Sequence, residues 1–219
     1  MDGAAFTLNP GSTFSFRRNP GKWELGLAEK SWEGGIVNVF GSRHVYVYGT
    51  AGNPAPAEQM RRQNEALQAA EWYGGSARVW YFPHVVPDTG VTESDLKNSN
   101  LVLFGNARTN ALIARLGSAL PLRLADPAGA EGLAVVTPGF APERLALVLT
   151  GTSYIPSDAT ARVTGYVPPR LRLINSTADY LLFHASLDQI LAEGRFDSTG
   201  KLPAAGRSIL DATHAVAAQ

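Results

Sequence analysis

The sequence contains no cysteine, and this absence excludes three kinds of chemistry at once. Without thiols there are no disulfides, no thiolate metal sites and no cysteine nucleophiles. The compartment stays open, because exported bacterial proteins also often lack cysteine. The chain has 219 residues, which is enough to bury a hydrophobic core without covalent cross-links, in one large domain or in one domain with a small appendage.

An excess of charge is also lacking, because 19 basic side chains balance 19 acidic ones. A protein that binds nucleic acid or a membrane surface through charge would show a basic excess. No apolar run approaches the roughly 20 residues that a membrane helix needs. The N-terminus shows no signal peptide, because no basic lead precedes an apolar core. We expect a soluble protein with no nucleic-acid or membrane partner, either cytoplasmic or exported as part of a longer chain.

A strand, loop and helix unit at residues 44–72 organises the chain. The β-branched and aromatic run HVYVYGT is followed by a loop with two prolines and by a helix with Glu58 in its first turn. An apolar stripe along this helix predicts that it lies on a sheet, and Asn64 falls on that stripe, so it needs a buried partner. The stripe contains Met60, Leu67 and Ala70, and the opposite face contains Glu58, Arg62 and Glu65.

Further strands and helices follow at a spacing that predicts a flavodoxin-like, doubly wound and mainly parallel sheet. Strands are expected at residues 77–83, 100–105, 143–152, 170–175 and 179–184. Helices are expected at 92–99, with Thr92 and Asp95 as a capping box, at 106–116, after Pro156 as far as Gly165, and at 186–194 with Ser186 as N-cap. Two runs at 120–125 and 132–138 flank a turn sequence, so we expect an antiparallel ribbon around residues 120–138.

The ends of the chain differ from its centre. Residues 14–27 alternate apolar and polar side chains around the turn Asn-Pro-Gly, which predicts a β-hairpin with Phe14, Phe16 and Trp23 on one face. We therefore divide the chain into an N-terminal hairpin and lead-in at 1–43, an α/β domain at 44–200, and an Ala-rich tail at 201–219 that is either a weak helix or frayed.

Several short motifs occur in the order found in one known family. They are YGT at residues 48–50, VT..D at 91–95, NLVLFGN...N at 100–110 and FD at 196–197. This ordered set, over about residues 14–202, resembles the C-terminal region of bacterial prolyl-oligopeptidase-like α/β-hydrolase proteins. In that family a flavodoxin-like domain follows the catalytic domain.

The resemblance implies a non-catalytic accessory domain. The family's serine hydrolase machinery uses a Gly-x-Ser-x-Gly elbow in the other domain, and this sequence contains no such elbow. The expected partner is an α/β-hydrolase catalytic domain in the same or a neighbouring chain.

A second function emerges from the loops of the expected sheet. In a wound sheet, ligands bind at the carboxyl ends of the strands where the strand order reverses. Backbone amides after Gly105, together with Arg108, would hold a carboxylate or phosphate. The competing interpretation is structural, with Gly105 making a turn and Asn106 capping the helix. The residues expected to converge on a small anionic ligand are Thr50, Asn53, Gly105, Asn106, Arg108 and Asn110. Neither loop has a glycine-rich phosphate fingerprint, so no nucleotide cofactor is expected.

A third interpretation is a stand-alone hydrolase of esters or lactones. His84 and Asp88 follow an expected strand, where the histidine would act as a base oriented by the carboxylate, or the pair would form a turn. Ser153 follows an apolar strand but lacks the glycine two residues later, and Asp158 and His184 would join it only through folding. No metal is expected, because Asp88 and Asp95 lack the spacing of a calcium loop.

Overall fold

The structure, a computed structural model, describes residues 14–19, 22–27, 34–70, 83–155 and 169–218. The first two segments are β1 (Phe14–Asn19) and β2 (Lys22–Leu27), which pair antiparallel with Phe14 opposite Leu27 and Phe16 opposite Leu25. The predicted N-terminal hairpin is therefore confirmed.

The remaining described segments form helices and strands, which alternate from α1 to β6. In chain order they are α1 (Ile36–Phe40), β3 (His44–Tyr48), α2 (Pro56–Ala70), β4 (Val85–Pro87), α3 (Glu93–Asn98), β5 (Asn100–Phe104), α4 (Ala111–Leu116), β6 (Leu122–Leu124), β7 (Glu131–Pro138), β8 (Leu145–Gly151), α5 (Pro169–Ile174), β9 (Tyr180–His184), β10 (Ser186–Gly194), α6 (Ala204–Thr213) and β11 (Val216–Ala218). Among the described helices, none combines the length and the hydropathy needed to cross a bilayer.

Seven strands form one mixed sheet in the order β10-β9-β7-β8-β5-β3-β4. Strands β4, β3, β5 and β8 pair in parallel, whereas β7, β9 and β10 each pair antiparallel. The central parallel strands are almost wholly apolar because helices cover both faces of the sheet. The predicted α/β class with a mostly parallel sheet is confirmed, and a small antiparallel sheet accompanies it.

Two separate hydrophobic cores lie on the two faces of this sheet. Helices α1, α2 and α5 pack on the face that carries Tyr46, Val102 and Leu147. Helices α4 and α6, together with β6, pack on the face that carries Val45 and Leu103. The helix capping box at Thr92 and Asp95 is present as predicted, at the start of α3.

The predicted apolar stripe of α2 is confirmed only at Ala70 and is wrong at its other residues. Met60 is 61% exposed and Leu67 is 37% exposed, and Asn64 is exposed as well. The helix instead buries its alanines, because small side chains let its backbone approach the sheet closely. The buried alanines are Ala66, Ala69 and Ala70.

The predicted antiparallel ribbon around 120–138 is also wrong. Strand β6 pairs with β11 from the C-terminus, forming the small two-stranded sheet. Strand β7 lies in the main sheet between β8 and β9. Because β7 is buried over residues 132–137, it needs a neighbour on each side, and the tight turn between Gly139 and Arg144 supplies β8 as one of them.

Two secondary-structure predictions near the C-terminus are wrong, because helix and strand are exchanged. Residues 170–175, expected as a strand, belong to α5, which has Pro169 at its first position, where proline is favoured. Residues 186–194, expected as a helix, form β10, in which Leu187 is buried but Ile190 and Leu191 are exposed. Register shifts within β10 break the usual alternation of buried and exposed side chains. The spacing of its apolar residues therefore resembles that of a helix.

Other predictions have a partial outcome. The strand expected at residues 77–83 lies outside the described residues except for Pro83, and the strand that pairs with β3 is β4. The helix expected after Pro156 lies outside them too. The Ala-rich tail does form a helix, α6, and it buries Leu210.

Candidate functional site

The carboxyl ends of β3, β5 and β8 meet at one edge of the sheet, since these strands are parallel. Strand β4 lies on one side of β3 and strand β5 on the other, so the strand order reverses at β3. This is the place where ligands usually bind in such sheets.

Between β3 and β5, however, the two loops close on each other. The Ala51 amide donates to the carbonyl oxygen of Thr109 at 3.1 Å. Gly49 lies so close to the same carbonyl group that a Cβ atom there would overlap it. The two loops therefore contact each other directly at the place where the prediction put a ligand.

Arg62 seals this contact from the helix α2. Its Nη1 atom donates to the carbonyl oxygens of Gly49, Ala51 and Thr109 at 3.2, 3.0 and 3.4 Å. Its Nε atom donates to Glu58 at 2.8 Å. The side chain is only 14% exposed, so the residue expected on the outer face of α2 is a buried clamp.

Asp88 joins the same loops from the other side. Its Oδ1 atom accepts from the amide and the hydroxyl of Thr50 at 2.9 and 2.6 Å. Its Oδ2 atom accepts from the amide of Ala111 at 2.7 Å, at the start of α4. Both Thr50 and Asp88 therefore hold the loops together.

Asn110 is fully buried and ties both strand ends to α4. Its Nδ2 atom donates to the carbonyl oxygens of Val47 and Phe104 at 3.3 and 3.1 Å. Its Oδ1 atom accepts from the amides of Leu112 and Ile113, which makes it the N-cap of α4. Asn110 thus has a structural role, and it lines neither of the two cavities described below.

The expected helix start at Asn106 is wrong, because α4 begins at Ala111 and the intervening residues form a compact turn. The Asn106 amide donates to Thr109 Oγ1 and the Arg108 amide donates to Asn106 Oδ1, both at 2.9 Å. Gly105, with φ 106°, donates its amide to Leu149. These three amides are therefore committed internally, and a bound anion would have to rely on side chains more than the prediction assumed.

Arg108 itself is exposed, and its guanidinium group makes no hydrogen bond or ion pair within the described parts of the chain. Asn53 is exposed in the loop before α2, with φ 50°, and lies outside the cavity that Arg108 lines. Of the predicted ligand residues, the structure brings Gly105, Asn106 and Arg108 to one cavity.

Two cavities adjoin at the carboxyl ends of β5 and β8, one strand away from the closed loops. The larger, which we call the Arg108 groove, has a volume of about 680 Å³ and includes Arg108, Arg123, Asp126, Ile113, Leu120 and Leu124. The smaller, which we call the Glu65 pocket, has a volume of about 110 Å³ and includes Glu65, Asn106, Thr150, Thr152, Tyr154 and Phe183. Gly105, Asn106, Pro127 and Thr150 line both cavities.

Two carboxyl groups on α2 have opposite environments. Hydrogen bonds from Arg61 and Arg62 lower the pKa of Glu58 from 4.5 to about 2. Burial raises the pKa of Glu65, although Arg61 and a hydrogen bond from Ser153 partly offset it. The two shifts have separate causes, which are ion pairing for Glu58 and burial for Glu65.

The predicted pair of His84 and Asp88 is wrong. His84 precedes β4 and Asp88 follows it, so the strand separates them. The His84 Nδ1 atom lies 3.7 Å from Asp95 Oδ1, whereas Asp88 is occupied by Thr50 and Ala111.

Ser153 has partners other than those of a catalytic triad. Its oxygen accepts from the amide of Ile155 at 3.3 Å, and its hydroxyl bonds to Glu65. His184 lies 3.4 Å from Glu131, and Asp158 lies outside the described residues. Within the part of the chain that the structure describes, no group of three His, Asp or Glu side chains could hold a metal ion.

No family model, curated protein or solved structure matches this chain. The functional argument therefore rests on the geometry of the site and on the motifs in the sequence. Glu65 and Arg123 line these cavities although neither was predicted as a site residue. The apolar pattern of α2 placed Glu65 on the face away from the sheet, so no signal in the sequence marked it as a site residue.

Proposed function

We propose that this chain is a binding module for a small anionic molecule held in the Arg108 groove. The observation that carries the proposal is an arginine without a partner among the described residues, beside a groove of about 680 Å³. Arg62, by contrast, is paired with Glu58.

The remaining lining of the groove favours an anion with an organic body. Arg123 adds a second positive charge and is anchored by donating to the carbonyl oxygen of Gly117. Asp126 is the opposing charge, and its Oδ1 atom accepts from the amide of Ala128 at 2.9 Å. Below these groups lie Ile113, Leu120 and Leu124, and apolar lining with a few polar groups is typical of small-molecule sites.

Thermal shift and calorimetry test this proposal with inorganic phosphate and hexanoate. A ligand that binds only the folded state must raise the melting temperature. We expect Arg108→Ala to weaken binding of both anions about tenfold or more, because a charge-assisted hydrogen bond is lost. Arg207→Ala is the matched control, since Arg207 is exposed on α6 and lies outside both cavities. Equal binding by Arg108→Ala and the wild type would contradict the proposal.

We also propose, as a second function, an accessory role beside a prolyl-oligopeptidase-like α/β-hydrolase domain in the same or a neighbouring chain. The sequence motifs support it, and the hairpin register adds an observation, because it pairs Phe14 with Leu27 and Phe16 with Leu25. The order β4-β3-β5-β8 is also the order of the first four strands in a flavodoxin-like sheet, which favours that fold within the larger mixed sheet.

The coding sequence immediately upstream tests the accessory role. We expect an in-frame or adjacent α/β-hydrolase domain with a Gly-x-Ser-x-Gly elbow. We further expect the 219-residue chain alone to leave esters, lactones and peptides unhydrolysed above background. Turnover that Ser153→Ala abolishes would instead support a stand-alone hydrolase.

A further inference from the structure

We infer that the ligand is polyhydroxylated and that its hydroxyl groups enter the Glu65 pocket, next to the anionic group held by Arg108. This inference rests on the proposed function and names the chemical class of the ligand, a sugar acid or a phosphorylated polyol. The shared chemistry is one anionic group with adjacent hydroxyl groups.

The first observation is that Glu65 has acceptor capacity left over. Glu58 accepts three hydrogen bonds of 2.8 Å from the guanidinium groups of Arg61 and Arg62. Glu65 has only a distant guanidinium nitrogen, Arg61 Nη1 at 3.8 Å, and the Ser153 hydroxyl. A half-buried carboxyl group in this position can accept hydrogen bonds from a ligand.

The second observation is that three further polar groups in the pocket have no partner among the described residues. They are the hydroxyls of Thr150 and Thr152 and the Nδ2 atom of Asn106. A threonine hydroxyl both donates and accepts, an amide nitrogen donates, and a carboxylate accepts. A ligand hydroxyl, which also donates and accepts, matches this set, whereas an alkyl chain would leave all of it unsatisfied.

The third observation is the position and size of the pocket. Asn106 and Thr150 line both cavities, so a ligand whose charge lies near Arg108 can extend past them to Glu65. A volume of about 110 Å³ corresponds to about four water molecules, which suits a few hydroxyl groups. The apolar part of the Arg108 groove stays available for carbon atoms.

Calorimetry with two six-carbon carboxylates, gluconate and hexanoate, tests the inference, because the pair differs in hydroxyl groups and not in charge. We expect Glu65→Ala to weaken gluconate binding about tenfold and to change hexanoate binding less than twofold. Arg108→Ala should weaken both. Glu193→Ala is the control, since this exposed residue of β10 lines neither cavity. Circular dichroism verifies that each variant is folded.

The outcomes separate the two proposals. If both acids bind and Glu65→Ala leaves gluconate binding unchanged, the inference is overturned and the anion site stands. If neither acid binds the wild type, the anion site is overturned together with the sugar-acid inference that rests on it, and the uncharged polyol sorbitol then tests the hydroxyl pocket alone. Sorbitol binding that Glu65→Ala abolishes would support the hydroxyl pocket, and no sorbitol binding would overturn it.

Discussion

The gap between β3 and β5 and the gap between β5 and β8 lie side by side on one edge of the sheet, yet the first is closed and the second is open. In the first gap, side chains bond to the loop backbone on every side, and these are Arg62, Asp88 and Asn110. In the second gap, Arg108, Thr150 and Asn106 Nδ2 are left without partners among the described residues.

This difference shows that strand order alone does not locate a binding site. The reversal of strand order provides an edge where two loops diverge, and ligands usually occupy the space between them. Here that space is filled by side chains whose hydrogen bonds are internal. The available space, and the available donors and acceptors, lie one strand further along.

The largest expected effect is on the closed gap, from Asn110→Ala. The change removes the N-cap of α4 and leaves the carbonyl oxygens of Val47 and Phe104 without this donor. We expect a loss of about 2–4 kcal/mol in the free energy of unfolding, measured by urea denaturation. The matched control is Asn64→Ala on the exposed face of α2, which should change stability by less than about 0.5 kcal/mol. Equal losses from the two variants would mean that Asn110 is not a structural tie.

A smaller effect is expected from Arg62→Met, which keeps most of the buried stem but removes the donors to three carbonyl oxygens. We expect a loss of about 1–2 kcal/mol. Hydrogen exchange at the Ala51 amide should become faster, because its bond to Thr109 lies under the guanidinium group. Exchange at the Gly105 amide, which bonds to Leu149 in the neighbouring gap, should not change.

Arg61→Met serves as the control for this experiment, since the Arg61 side chain is 65% exposed and contacts Glu58 without reaching the loops. Faster exchange at both amides in Arg62→Met would show that the two gaps open together, and the comparison between them would fail.

The smallest expected effects are on the pH dependence of the free energy of unfolding. They have opposite signs for Glu58 and Glu65, the two carboxyl groups of α2. The pKa of Glu58 is lowered from 4.5 to about 2, so its contribution to stability is present above pH 4.5 and is lost as the pH falls toward 2. The pKa of Glu65 is raised, so its contribution is present below pH 4.5 and is lost as the pH rises.

Denaturation at pH 7 and at lower pH distinguishes these signs. Glu58→Gln should reduce stability at pH 7 and match the wild type near pH 2. Glu65→Gln should increase stability at pH 7 and lose this advantage near pH 4. Each effect should stay below about 1 kcal/mol, since solvent reaches these groups. The same sign of change at pH 7 for both variants would contradict the assignment.

The central parallel strands β3, β5 and β8 were predictable because their signals are local, whereas the edge strand β4 was not predicted. The apolar run of β5 and the capping box at Thr92 are each complete within a few residues. The antiparallel half depends on distant partners, since β6 pairs with a strand from the C-terminus, and the register shifts of β10 remove the alternation that marks a strand. No short-range pattern carries that information.

The candidate site was also predictable only in part. Arg108 and Asn106 follow a clear strand, so their position at the sheet edge was predictable. The amides after Gly105 were expected to bind an anion, but the side chains of Asn106 and Thr109 satisfy them, and sequence spacing does not show that competition. Glu65 was missed because α2 turns its small alanines toward the sheet, and not its large apolar residues as predicted.

The irregular pairing of β10 also affects the tendency of this protein to aggregate at high concentration. A strand at the border of a sheet offers open backbone groups to any extended chain, and regular borders of this kind promote aggregation. Here two register shifts between Ser186 and Ala192 disrupt that template, and the exposed Glu193 adds a negative charge to this border. The exposed Ile190 and Leu191 can therefore be tolerated at this border without inviting fibrous growth.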